Sequence, residues 1–158
     1  MATITKANPR AVKNHMETVD VLVANGASWW AGQFLHPVSG TLTSSASNAV
    51  NFKYHALSTQ ADPADTTTYA EVSLITDDIV FEGNELDATA SSAAWIGNIY
   101  AINVSNNVVT VDISATSLPS VRVVDIGSNY EPIKNASTDT CPRIRFKVLQ
   151  SVLDAAGS

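Results

Sequence analysis

The sequence predicts an all-β fold: a compact barrel or sandwich of short antiparallel strands with an extended N-terminal arm. Three features lead there. Apolar residues collect in short runs rich in Val, Ile, Thr, Tyr and Phe, several of them alternating with polar residues, the period-2 pattern of a half-buried strand. Clusters of Ser, Thr, Asn and Gly separate the runs, as in β-sandwiches and barrels. No stretch keeps a 3.6-residue apolar period between capping residues, so long helices are not expected.

Residues 1–16 are polar and basic, and Pro9 holds Asn8 in extended geometry. They read as an extended arm or as a frayed terminus. Thr18–Ala24 is a β-branched strand ended by the turn signal Asn25-Gly26. Ser28–Leu35 carries two of the three tryptophans side by side. Neighbours in a strand face opposite sides, so one of Trp29 and Trp30 enters the core with Phe34. The other faces the arm or a neighbouring copy. A turn is expected at Pro37–Gly40, then a short strand at 41–43.

Val50–Leu57 alternates, with Val50, Phe52, Tyr54 and Ala56 inward and Asn51, Lys53 and His55 on the polar face. Tyr69–Ile75 and Ile79–Phe81 are further strands. Residues 87–94 are small and low in complexity: a linker, a loop or one helical turn. Two runs flanking Asn106-Asn107 form the clearest hairpin, because asparagine tolerates the left-handed turn conformation. Val121–Ile126 is a strand and 128–142 a long loop. Arg143–Gln150 places Ile144, Phe146 and Val148 inward and Arg143, Arg145 and Lys147 outward. Those three cations either protect a sheet edge or meet an acidic partner. Residues 151–158 are a flexible tail or a helical turn. The total is about nine or ten strands, in one β-rich domain over 17–150. Within it, 17–86 reads as a core unit and 95–150 as an elaboration.

A chain of 158 residues fits one domain. Charged residues make up 15%, below the usual ~25%, which suits surfaces that meet other proteins. The net charge of −6 argues against a nucleic-acid partner, which calls for a basic footprint. No Lys or Arg lies between Lys53 and Arg122, a gap rich in Asp and Glu, while both ends of the chain are basic. This is either a set of solvated faces or a basis for head-to-tail contact between copies. No apolar run approaches the ~20 residues of a membrane span.

No constellation announces catalysis. His15, His36 and His55 have no metal-ligand spacing, Cys141 stands alone, and no Gly-x-Ser-x-Gly elbow occurs. The expectation is a non-enzyme with no cofactor and no metal. Stacking of Trp29 or Trp30 on a sugar ring is the alternative to a core or interface role.

Over the first ~85 residues the order of features resembles the small capsid decoration (cement, or head-stabilising) proteins of tailed phages. The likeness lies in a polar N-terminal arm, then Trp30-Ala31-Gly32-Gln33-Phe34-Leu35, then Gly40-Thr41-Leu42, the strand Tyr69–Ile75 and the short run Ile79–Phe81. Residues 95–158 match less well. The resemblance implies a virion structural protein made in the host cytoplasm. It would be a β-rich homotrimeric knob on the capsid surface, stabilising the head lattice by contact with the major capsid protein. Lys6, Asn8, Pro9, Arg10 and Lys13 would be the capsid-contact arm, and Trp29, Trp30 and Phe34 the interface or core anchor. Removing residues 1–16 is then expected to abolish lattice binding and leave the β body folded. The alternative function is a carbohydrate- or host-binding β module of a fibre.

Overall fold

In the computed structural model, which describes residues 5–14, 17–60, 67–126 and 139–157, two β-sheets share one interior. The fold is nearly all β, as the alternating runs predict. The first sheet is a barrel. Its strands are β7 (Val80–Glu85), β11 (Arg143–Val148), β10 (Val121–Asp125), β8 (Ile99–Ser105) and β9 (Val108–Asp112), hydrogen-bonded in that order. The ring closes where β9 pairs in parallel with β7 at Asn84↔Thr110 and Glu85↔Val111. Only the second half of β7 is used there. Its first half pairs instead with β1 (Arg10–Lys13), through Arg10↔Glu82 and Ala11↔Phe81.

The second sheet runs β2 (Thr18–Leu22), β6 (Tyr69–Leu74), β5 (Tyr54–Ala56), β3 (Phe34–Val38) and β4 (Thr41–Ser44). A parallel bridge, Val23↔Leu42, curls its ends toward each other. Apart from β1, sheet membership divides the chain between β6 and β7, ahead of the 87–94 stretch. Of that stretch, Ala93 and Ala94 open a 3-10 turn with Trp95.

Strand β3 joins two apolar clusters because its neighbours face opposite sides. Phe34 enters the barrel-side core, stacked on Phe52 with ring centroids 4.7 Å apart and set edge-on to Phe81 at 5.3 Å. Leu35 enters the smaller cluster inside the second sheet, with Val23, Trp29, Leu42, Ala56 and Val72. Where β3 and β5 lie between the two clusters the second sheet is covered on both faces, so a polar position there is buried as well. His55 is the main casualty of the alternation rule: expected on a polar face, it is buried at 6% exposure.

Local details differ from expectation for identifiable reasons. Within the Ser28–Leu35 stretch read as strand-like, the strand begins only at Phe34, because Gly32 turns the chain at φ +90°. The hairpin turn expected at Pro37–Gly40 is confined to Ser39 and Gly40, both left-handed. Pro37 stays in β3 opposite Leu42. The hairpin at Asn106 and Asn107 forms as predicted, with both residues at positive φ. The C-terminal tail is the helix α1 (Gln150–Ala155), held by Val152 in the barrel-side core. Among the described residues no helix is long and apolar enough to cross a membrane.

The largest difference concerns the N-terminal arm. Among its described residues, β1 is part of a sheet and Pro9 is buried. Asn8 ties three parts of the fold together. Its Nδ2 donates to the carbonyls of Ala31 (3.1 Å) and Asn107 (2.9 Å), and its Oδ1 accepts from the Val109 amide (2.8 Å). Gly32 makes room for it: a Cβ there would lie 2.5 Å from Asn8 Cβ. Gly83 lies against the Pro9 ring, where a Cβ would stand 3.4 Å from Pro9 Cγ and 3.2 Å from Phe146 Cε1. Pro9 is thus buried, and the half-buried Asn8 is held against the chain's own β body. His15 and Met16 lie outside the described residues, as does most of the 128–142 loop.

Candidate functional site

The outer face of the barrel is built by alternation. On β11, Ile144, Phe146 and Val148 fill the core, which turns Arg143, Arg145 and Lys147 outward as predicted. On β10, Val121 and Val123 are buried, so Arg122 faces out, opposite Lys147. On β7, Phe81 points in and Glu82 out, with Arg10 of β1 on one side and Arg145 of β11 on the other.

Two β-bulges complete the face. On β1 the register steps from Ala11↔Phe81 to Lys13↔Val80, so Val12 is the extra residue. Without the bulge, Val12 would lie opposite Val80 and Lys13 would turn inward; with it, Lys13 joins Arg10 on the outside. On β10 the register steps from Val123↔Phe146 to Asp125↔Arg145, which brings Asp125 to the same face beside Val124. The result gathers Arg10, Lys13, Arg122, Arg143, Arg145 and Lys147, six of the chain's nine cations, on one side of a protein with fifteen acids.

Glu82 organises the centre of this face. Its Oε1 meets Arg10 Nη2 and its Oε2 meets Arg145 Nε, both at 3.3 Å. Glu82 is only 8% exposed and Arg145 16%, so this half of the triad is shielded; Arg10 at 74% is open to solvent, where such pairs contribute little. Lys13 and Lys147 make no ion pair among the described residues. They line a groove of about 450 Å³ with Asn14, Val80, Val124, Asp125 and Arg145. Asn14 fixes the groove's rim, its Nδ2 donating 2.5 Å to the Asp78 carbonyl.

The structure therefore joins one part of the predicted arm, Arg10 and Lys13, with the predicted basic strand face. Lys6 is exposed and lines neither groove nor core. Trp29 and Phe34 are core residues, whereas Trp30 is 53% exposed. Sequence reading missed Arg122, Glu82, Asn14 and Asp125. Arg122 was legible from its place between two buried valines; Asp125 was not, because a bulge shifts it. Among the described residues no three His, Cys, Asp or Glu side chains come together as a metal-binding group.

Behind the face, the buried His55 holds the N-terminal segment. Its Nε2 lies 2.8 Å from the Pro9 carbonyl; a carbonyl only accepts, so Nε2 carries the proton. Its Nδ1 is buried without a hydrogen-bond partner among the described residues, and its ring packs on Phe34 and Phe81. Burial lowers its pKa below the ordinary value, against weaker opposing interactions with the Pro9 and Gly32 backbone. A His with a depressed folded pKa is most stabilising when neutral. Stability is therefore lost as pH falls from about 6.5, the unfolded value, toward the folded one. Burial lowers His36 in the same direction, so the His55 share is read by difference. Between pH 7.5 and 5.5, roughly bracketing the unfolded value, urea denaturation of the wild type is expected to show a larger loss than His55→Gln. Equal losses would place the effect elsewhere.

Comparison with protein-family models, curated proteins and solved structures finds no match.

Proposed function

We propose that this protein is a non-enzymatic structural component of a virion. It docks on the outer capsid surface and stabilises the head lattice, as the phage decoration proteins it resembles do. The observation that supports this reading is the charge segregation. A face carrying six cations on a chain of net charge −6 orients the molecule during encounter and complements an acidic surface. A partner that binds only the assembled lattice stabilises it by mass action. The contact surface in this reading is the barrel face of Arg10, Lys13, Arg143, Arg145 and Lys147, with Lys6 at its exposed N-terminal approach. Three copies around a local threefold position would add avidity.

The test is co-sedimentation with assembled shells of the major capsid protein proposed as its partner, at low and high salt. Binding is expected to weaken with salt. It should be lost in Lys13→Glu/Arg143→Glu/Lys147→Glu, whose thermal midpoint should stay near the wild type's because these side chains face solvent. Undiminished binding by that variant, or none by the wild type, refutes the reading. A mass measurement of the protein alone and on shells decides the trimer.

A second reading rests on Trp30. It is 53% exposed, and Leu57, on the segment that pairs with residues 29–33, is 43% exposed. An aromatic face beside an aliphatic one suits a sugar ring. Glycan binding lost in Trp30→Ala with shell binding intact would favour this alternative.

A further inference from the structure

We infer that the groove on the barrel face is a binding site for a compact multivalent organic oxyanion, a small molecule bearing two or more phosphate or carboxylate groups. Lys13 and Lys147 would hold it, with Arg145 between them. Four independent features converge there. The groove, at about 450 Å³, has the size of small-ligand sites. Its floor includes Val80 and Val124, which favours a ligand with a carbon skeleton over a bare inorganic ion. Its two lysines have no ion pair among the described residues, whereas Arg10 and Arg145 are engaged by Glu82. Finally, Lys147 of the groove stands directly opposite Arg122, which borders the adjoining hollow. Like charges so placed repel, and an anion beside them relieves it.

The acids facing the site do not cancel this balance. Glu82 is already shared by two arginines, and Asp125 is one carboxylate against the three cations Lys13, Arg145 and Lys147 that line the groove. Asp77 borders a neighbouring hollow with Arg122 and Lys147 but forms no ion pair with either. The ligand's compactness follows from the rest of the molecule. Beyond a Debye length of about 8 Å, a long polyanion leaves the cationic face and meets a protein of net charge −6. A nucleic-acid strand or a poly-acidic peptide is therefore disfavoured, while a compact anion stays within the face.

Calorimetric titration of the isolated full chain at fixed ionic strength tests this, with citrate and a sugar bisphosphate as the carboxylate and phosphate probes. Single-stranded DNA serves as the extended polyanion. Saturable binding of at least one compact probe is expected. In Lys13→Ala/Lys147→Ala its affinity should fall about a hundredfold, roughly tenfold per charge-assisted contact. Lys53→Ala, outside the groove, should bind as the wild type does. No binding of either compact probe, equal binding by the double variant, or tighter binding of DNA overturns the proposal. Because no shell is present, failure here leaves lattice docking standing, and failure of docking leaves this site standing.

Discussion

Trp29→Ala is expected to destabilise the fold by about 3–5 kcal/mol, the usual cost of emptying a large aromatic site in a core. Trp30→Ala should change stability by no more than about 0.5 kcal/mol. The two residues are adjacent and chemically identical, so the contrast isolates environment. Trp29 is 1% exposed among Val23, Leu35, Leu42, Ala56 and Val72, and its indole Nε1 donates to the Ser58 carbonyl at 3.1 Å. Truncation removes the ring and leaves that carbonyl unpaired. Trp30 is 53% exposed, and the interaction anchoring its position is made by its backbone amide, which donates to Gln33 Oε1 at 2.7 Å. Any side chain preserves that bond. Urea denaturation of both variants decides it; equal destabilisation would mean that Trp30 also packs into the core.

Deleting residues 1–13 should have an effect of similar or larger size, contrary to what a free arm predicts. The deletion strips β1 from the first half of β7 and removes the Pro9 ring from the space left by Gly83. It also takes away the partners of the His55 ring, the Val109 amide and the Asn84 side chain. Each buried group left unsatisfied costs about 1–3 kcal/mol. Together they approach the whole stability of an ordinary domain, about 5–15 kcal/mol. The truncated chain is therefore expected to lose cooperative unfolding or to unfold at much lower denaturant. Gly32→Val tests the same docking without shortening the chain. Its Cβ would lie 2.5 Å from Asn8 Cβ, on a backbone at φ +90°, so it should expel the segment and destabilise strongly. A truncated protein as stable as the full chain would show that these contacts contribute nothing to folding.

The all-β class was legible because most strands have one face in a core and alternate accordingly, β11 most clearly. The basic strand face on β11 was legible for the same reason. Alternation failed on β5, where a second covered face buries His55, and on β1 and β10, where one extra residue reverses the facing of everything after it. The role of Asn8 was hidden for a different reason. Its partners, Ala31, Asn107 and Val109, are distant in sequence, and Gly32, which admits it, resembles an ordinary turn residue.

The pairing of β1 with β7 also sets a schedule for the newborn chain. Arg10 leaves the ribosome long before its partner Glu82, and at about 5–20 residues per second that lag is on the order of four to fifteen seconds. Throughout it the first strand has no ladder to join, and the Asn8 side chain waits longer still for Val109. The segment made first is thus among the last to be seated. Contacts of such long sequence separation slow folding through the entropy of loop closure, so locking of the barrel should lag behind formation of the hairpin at Asn106 and Asn107.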